Sequence, residues 1–395
     1  MIEEEPADVI YLDYAAATPL ANEVLKAMAP YWSERFYNPS APYALARNVR
    51  ADYEAARARL AHVVGGRPGN VTLTAGATEA NNLALASVEG HVLACATEHE
   101  SVLECCVNGG GRVVPVTKDG TIDLNVLKTM LTDDVELVSV GLANGEIGTI
   151  QPVREVASLV RKERMRRLES GETTPLLLHT DASQAAGYVS VNVSSLGVDL
   201  MTLSAAKVYG PKQVGMLWHA DGIALRSLVQ GGGQEGGIRS GTENVAGVIG
   251  FACALELAER LRSKEVRRLR KLTSLLRGLI AEGVSDVVFS GPTQEGRRLP
   301  GLVHASFPEA DARRLVIALE RRGVCVGTGS ACAASRMRTS HVLKAIEMSE
   351  EVAQGSLRLS LGRATSEDDV RRAATAIVEC VCEERVRSAK RRERA

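Results

Sequence analysis

Lys207 stands three residues beyond Ser204, at the close of an apolar run over 199–204, and Asp181 ends the preceding apolar run, Leu176–Thr180. A lysine amine just past one strand and a carboxylate at the end of the one before it are what pyridoxal phosphate chemistry needs. The amine can hold the cofactor as a Schiff base, and the acid can keep the pyridine nitrogen protonated so that the ring accepts electrons. A solvated surface lysine is the competing reading. Ser204 before Lys207 and Val208-Tyr-Gly-Pro-Lys212 after it weigh against that. A second reactive group lies late in the chain, in Gly327-Thr-Gly-Ser-Ala-Cys332. Residues this small cannot pack a core, so the pattern predicts a loop presenting a thiol.

The other seven cysteines read differently. Cys95, Cys105, Cys106, Cys253, Cys380 and Cys382 sit in apolar or helical surroundings and read as small buried hydrophobes. Cys325, between two valines, reads as strand core. No Cys-x-x-Cys pair or His/Cys cluster suggests a metal site, so none is expected.

The elements that must position these groups alternate. Apolar, β-branched runs at 71–74, 91–96, 112–116, 136–142, 176–180, 199–204 and 215–218 read as strands separated by helical segments. Such alternation predicts an α/β fold with a mostly parallel sheet, its chemistry at the carboxyl ends of strands. From about Glu259 a helix carries Leu269, Leu272, Leu276 and Leu279 on one stripe and leads into a smaller domain, with strands at 301–307 and 356–360. The basic tail after Val386 reads as a solvated helix end, with a docking surface as the alternative.

At 395 residues and 45% hydrophobic content, two globular domains are expected. The net charge of -1 gives no electrostatic reason for a nucleic-acid partner. The acidic start Met1-Ile-Glu-Glu-Glu-Pro6 does not read as a signal peptide, and no apolar run approaches membrane-spanning length. The protein reads as cytoplasmic.

Beyond these local patterns, the chain resembles the cysteine desulfurases, a pyridoxal-phosphate family of the aminotransferase type. The resemblance rests on Tyr11-Leu-Asp-Tyr-Ala-Ala-Ala-Thr-Pro19, Asn38-Pro-Ser40, Thr74-Ala-Gly-Ala-Thr-Glu-Ala-Asn-Asn82, Thr97-Glu-His-Glu100, His179-Thr-Asp-Ala-Ser-Gln184, Gly231-Gly-Gly-Gln-Glu235, Arg239-Ser-Gly-Thr-Glu-Asn244 and Ser356-Leu-Arg-Leu-Ser-Leu-Gly-Arg363, in the family's order. It implies the aminotransferase-like fold type I, with a seven-stranded, mostly parallel sheet in a large domain (16–260). A small α/β domain (1–15 with 261–395) would carry the cysteine loop. It further implies that Ala77, Thr78 and Ser204 hold the cofactor phosphate, that His99 stacks on the pyridine ring and shuttles protons, and that Asp181 pairs with the pyridinium. Gln184 would bind the phenolic oxygen. Thr242 would reach the phosphate of a neighbouring subunit, hence a homodimer. Arg358 is expected to clamp the substrate carboxylate, with Asn38 as a second contact, and Arg363 to serve as a structural salt-bridge partner. The implied reaction converts L-cysteine to L-alanine: Lys207 removes the α-proton and Cys332 takes the sulfur as a persulfide. That sulfur would pass to an acceptor protein, either an iron-sulfur scaffold or a tRNA-thiolation enzyme.

Three positions depart from the family pattern. Ala206 replaces the histidine before the lysine, Gly145 replaces an asparagine expected near the phenolic oxygen, and Tyr43 replaces a histidine after Asn-Pro-Ser. They leave open a selenocysteine lyase, which Asn38–Tyr43 also resembles, and a noncatalytic scaffold of a sulfur-transfer complex. A plain aminotransferase has no use for the Cys332 loop.

Overall fold

A computed structural model describes residues 9–328 and 340–392, the side chains of 389–392 excepted. Twelve strands are formed among them: β1 (Ile10–Leu12), β2 (Val71–Thr74), β3 (His91–Cys95), β4 (Arg112–Val114), β5 (Val135–Ser139), β6 (Leu177–Asp181), β7 (Leu200–Ser204), β8 (Gly215–His219), β9 (Val288–Phe289), β10 (Leu302–Ser306), β11 (Val324–Val326) and β12 (Ser356–Ser360). Seven make one sheet in the order β2-β8-β7-β6-β5-β3-β4. Every neighbouring pair from β7 to β4 is parallel, and β8 runs antiparallel to both β7 and β2. The expected mostly parallel seven-stranded sheet is therefore present. Because the parallel strands share a direction, Asp181 at the end of β6 and Ser204 at the end of β7 open on the same edge.

The expected run at 136–142 overshoots its strand. Val140 and Leu142 are buried, but they continue past the paired segment that ends at Ser139. Hydrophobicity reports burial, and beyond the assigned strand Val140 and Leu142 still donate their N–H groups to the β6 carbonyls of His179 and Asp181.

Residues 10–12 leave the large sheet's layer. β1 pairs in parallel with β11, while β12, β10 and β9 form an antiparallel sheet beside it. An isolated bridge between Gly327 and Arg358 joins the two groups. A second hydrophobic cluster fills this region, drawing on Ile10 and Leu12 together with Leu276, Phe307, Leu315, Leu359 and Ile377.

The helix expected from about Glu259 starts fourteen residues earlier and spans Val245–Gly283. Its first half packs Val248, Phe251 and Leu255 in the large core, and its second half packs Leu269, Leu272, Leu276 and Ile280 in the other. At about 1.5 Å per residue it forms a single spine through both. Its first turns carry Gly247 and Gly250, residues of low helix propensity. Both are packing sites: a Cβ on Gly250 would come within 2.6 Å of Met28 Sδ, where the helix Asn22–Met28 crosses. Asn244 caps the helix by accepting the Gly247 N–H at 3.0 Å.

Candidate active site

The carboxyl edge of the sheet opens into a cavity of about 820 Å³ lined by Lys207, Asp181, Gln184, Ser204, Ala77, Thr78, His99 and Arg358. The strand order dictates this convergence. β2 leads into the helix Ala77–Ala86, β3 into the helix Glu100–Asn108, and β7 into the 3-10 turn Ala205–Lys207.

Lys207 Nζ donates to the carbonyls of Ala15, at 2.9 Å, and Ala16, at 2.7 Å. Burial lowers its pKa, as does the nearby Arg358 charge, while Asp181 and Asp13 oppose the shift. An amine so placed deprotonates more readily than a surface lysine. Asp181 accepts the Ser183 N–H at 2.9 Å on one oxygen and the Asn81 side-chain amide at 2.9 Å on the other. These neutral donors orient the carboxylate and leave its charge for a cationic partner. His179, two residues earlier, bonds Ser139 and Thr202 through its two ring nitrogens, and burial pushes its pKa down to about 4. It is a neutral part of the sheet's interior.

Gly76 takes φ +142° and has no side-chain cap, so the helix Ala77–Ala86 presents its first N–H groups at the cavity wall. That turn needs glycine. His99 caps the next helix: its Nδ1 accepts the Ser101 N–H at 3.1 Å, and its ring is exposed to the cavity.

Arg358 is buried rather than an exposed strand arginine. Its Nη2 lies 2.8 Å from Asp13 Oδ1 and its Nη1 donates to the Gly145 carbonyl at 3.2 Å. The buried Nε has no hydrogen-bond partner among the described residues. Arg363, expected in a salt bridge, instead lies with its guanidinium carbon 4.0 Å above the Tyr209 ring. The apolar, tyrosine-rich wall there favours the flat cation over an ion pair.

Two departures acquire a structural meaning. A Cβ on Gly145 would meet Gln184 Cδ at 2.7 Å, so Gln184 fills the space a side chain there would take. Gln184 in turn donates to the Ala15 carbonyl at 3.0 Å, the same oxygen that binds Lys207. Ala206 lines the cavity, and its carbonyl accepts the Thr18 hydroxyl at 2.9 Å. Tyr43 is half exposed, edge-on to Tyr37.

Asn38 and Thr242 lie outside the lining residues, both exposed; Asn38 Oδ1 accepts the Ser40 N–H at 2.9 Å. Cys332 falls outside the described residues. Cys325 is half buried in β11, and burial, Glu320 and Asp13 all raise its pKa, which makes it a poor thiolate.

Sequence reasoning missed two cavity residues. The Glu98 carboxyl is buried, accepts the Gly141 N–H, and is pushed up to about 8 by burial and by Asp181. His341 lines the cavity and its Nε2 lies 2.9 Å from the Glu98 carbonyl. Glu98 was visible only as a flank of His99, and nothing near His341 in the sequence marks it.

These groups fit a phosphate-bearing pyridine cofactor. A glycine-opened helix terminus suits the phosphate, and an Asp181 carboxylate without a salt-bridge partner among the described residues suits a ring N–H. A buried amine suits covalent attachment. Ser183 adds a buried hydroxyl in the cavity wall with no partner among the described residues.

Comparison with known proteins agrees. The aminotransferase class-V family model matches residues 10–373. The cysteine desulfurase IscS of Dictyoglomus turgidum is 39% identical over 373 residues, covering 91% of each chain. Among solved structures, a NifS-like protein superposes with a TM-score of 0.86 at 31% identity, covering 95% of this chain and 100% of that one. A structure described as SspA in complex with cysteine superposes with a TM-score of 0.71 at 29% identity over 89% of this chain and 98% of its own.

Proposed function

We propose, for a chain that belongs to the class-V aminotransferases and within them to the pyridoxal-phosphate-dependent cysteine desulfurases, the following roles for its own residues. The observation that carries the assignment is the meeting of Lys207, Asp181 and Arg358 in one cavity. Ala77, Thr78 and Ser204 would hold the cofactor phosphate, Asp181 would pair with the pyridine nitrogen, Gln184 would bind the phenolic oxygen and His99 would cover the ring. The bound cofactor supplies an electron sink for the pair left when the substrate's α-proton departs.

The substrate is L-cysteine, and Arg358, already fixed by Asp13, takes its carboxylate. Asn38 is the second contact. Lys207 Nζ would be the attachment point of the cofactor and, as a free amine, would accept the α-proton; its lowered pKa favours the neutral base, and the Ala15 and Ala16 carbonyls hold it in place. Cys332 as thiolate attacks the substrate sulfur. The new S–S bond forms as the C–S bond breaks, its electrons return to the carbon skeleton, and protonation there releases L-alanine. Cys332 is left as a persulfide.

Thr242 acts on the cofactor phosphate of a second copy, so the working unit is a homodimer. The sulfur passes to an acceptor protein, an iron-sulfur scaffold or a tRNA-thiolation enzyme, without direct nucleic-acid or membrane contact. Among the described residues no helix is long and apolar enough to cross a membrane, which is compatible with work in the cytoplasm. The large domain is taken as 16–260 and the small one as 1–15 with 261–395.

The test is mass spectrometry of the enzyme after cysteine, with alanine assayed in parallel. The expected result is one alanine released and added sulfur on Cys332. Sulfur on Cys325 instead, or turnover retained in Lys207→Ala, would overturn these assignments.

A further inference from the structure

Away from the cofactor cavity, three arginines converge on a second, smaller one. Arg270 and Arg277 project from the same face of the Val245–Gly283 helix, seven residues apart, and Arg298 comes from the segment that precedes β10. Together with Ser274 they line a cavity of about 70 Å³. That is room for several waters or one small oxyanion. Two donors there are buried without an acceptor among the described residues, Arg270 Nε and Arg277 Nη1. Phe289 covers the Arg277 guanidinium at 4.1 Å and Arg298 Nη1 donates to the Pro292 carbonyl at 3.2 Å. Both contacts hold the cations where they are. The acid at the cavity, Glu295, is exposed on its rim.

Arg298 and Arg277 carry like charge in a half-buried setting that weakens screening, and Glu295 on the rim offsets the Arg298 charge in part. Burial, and after it the Arg298 charge, lower the Arg277 pKa to about 10. A guanidinium fork with free N–H groups binds tetrahedral oxyanions well, since it presents several donors in fixed directions.

We propose that this cavity is an oxyanion site, taking inorganic phosphate or the phosphate end of a small monoester. Its position links it to the active site through backbone. Leu299 N–H donates to the Gly148 carbonyl at 2.8 Å and Ile150 N–H to the Arg297 carbonyl at 2.8 Å. Residues 144–146 of that loop line the cofactor cavity. An anion gathering the three arginines therefore fixes the segment on which this loop leans.

The experiment uses the holoenzyme, so that the cofactor's own phosphate cradle is filled. Radiolabelled inorganic phosphate is dialysed against it at constant ionic strength set with chloride. One phosphate bound per chain is expected, with affinity at least about tenfold lower in Arg277→Gln and in Arg270→Gln. The second variant removes an arginine that does not pack on Phe289, so a folding defect in the first does not decide the matter. Absence of saturable binding above the chloride background, or unchanged affinity in both variants, overturns the proposal. Competition by glycerol phosphate identifies a site open to monoesters; lack of competition confines it to the free ion.

Discussion

Arg239 Nε lies 2.9 Å from one carboxylate oxygen of Glu79, whose other oxygen accepts the Ala75 N–H at 2.9 Å. Arg239 belongs to the glycine-rich segment 231–241. The same segment sends Glu235 inward to meet Arg57 at 2.6 and 2.7 Å, Tyr53 at 2.8 Å and the Leu73 N–H at 2.8 Å. It thereby grips both ends of residues 73–79, which form the turn into the helix that faces the cofactor phosphate. Glu79 in that first turn would repel a phosphate. Arg239 neutralises it and uses it as a brace.

Arg239→Gln should therefore loosen the cofactor by about tenfold, the worth of roughly one charge-assisted contact. Cofactor loss during dialysis is the measurement, with activity at saturating cofactor as the control. Retention equal to the wild type would show that the ion pair is a surface ornament; partial recovery in Arg239→Lys would show that charge rather than fork geometry matters.

Gly145→Ala should cost about 1–3 kcal/mol of stability, because its Cβ must displace Gln184. Denaturant titration measures it. With Gln184→Ala added, the penalty of the glycine substitution should shrink, since the obstructing side chain is gone. Strict additivity of the two changes would refute the steric account.

Asp13→Ala should raise KM for cysteine about tenfold while changing kcat less, since Asp13 fixes Arg358 without lining the cavity. Steady-state kinetics decide it. A fall in kcat at unchanged KM would place Asp13 in the chemistry instead.

That pair also marks the boundary of what sequence shows. Asp181, Lys207 and the Thr74–Thr78 turn were legible because each sits at the end of a strand, and strand ends follow from local hydrophobic runs. Asp13 and Arg358 are 345 positions apart and join only when β1 crosses to the second sheet group. Gly145 read as a lost contact because a missing side chain carries no trace of the neighbour that fills its place. The start of the Val245–Gly283 helix was hidden for a related reason: its glycines answer to Met28 and Val214, which local propensity does not know. His341 had no local pattern at all.

Glu98 gives the protein a pH signature of definite sign. Its carboxyl is buried and held protonated up to about pH 8 in the folded chain, against an ordinary value of 4.5 when unfolded. Between those values the native state binds one more proton than the unfolded state, so this group's contribution to stability falls as pH rises from about 4.5 to about 8 and is then flat. His179 works from the other side. Folded, it stays neutral down to about pH 4, and unfolded it takes a proton below 6.5, so its contribution is lost as pH falls through that interval. Glu98→Gln keeps the shape and the acceptor for the Gly141 N–H but removes the titration. Its stability, followed by urea unfolding of the holoenzyme across pH 5–8, should decline less steeply with pH than that of the wild type. Parallel curves for the two proteins would mean that Glu98 ionises at its ordinary pH, with its buried charge compensated in the fold.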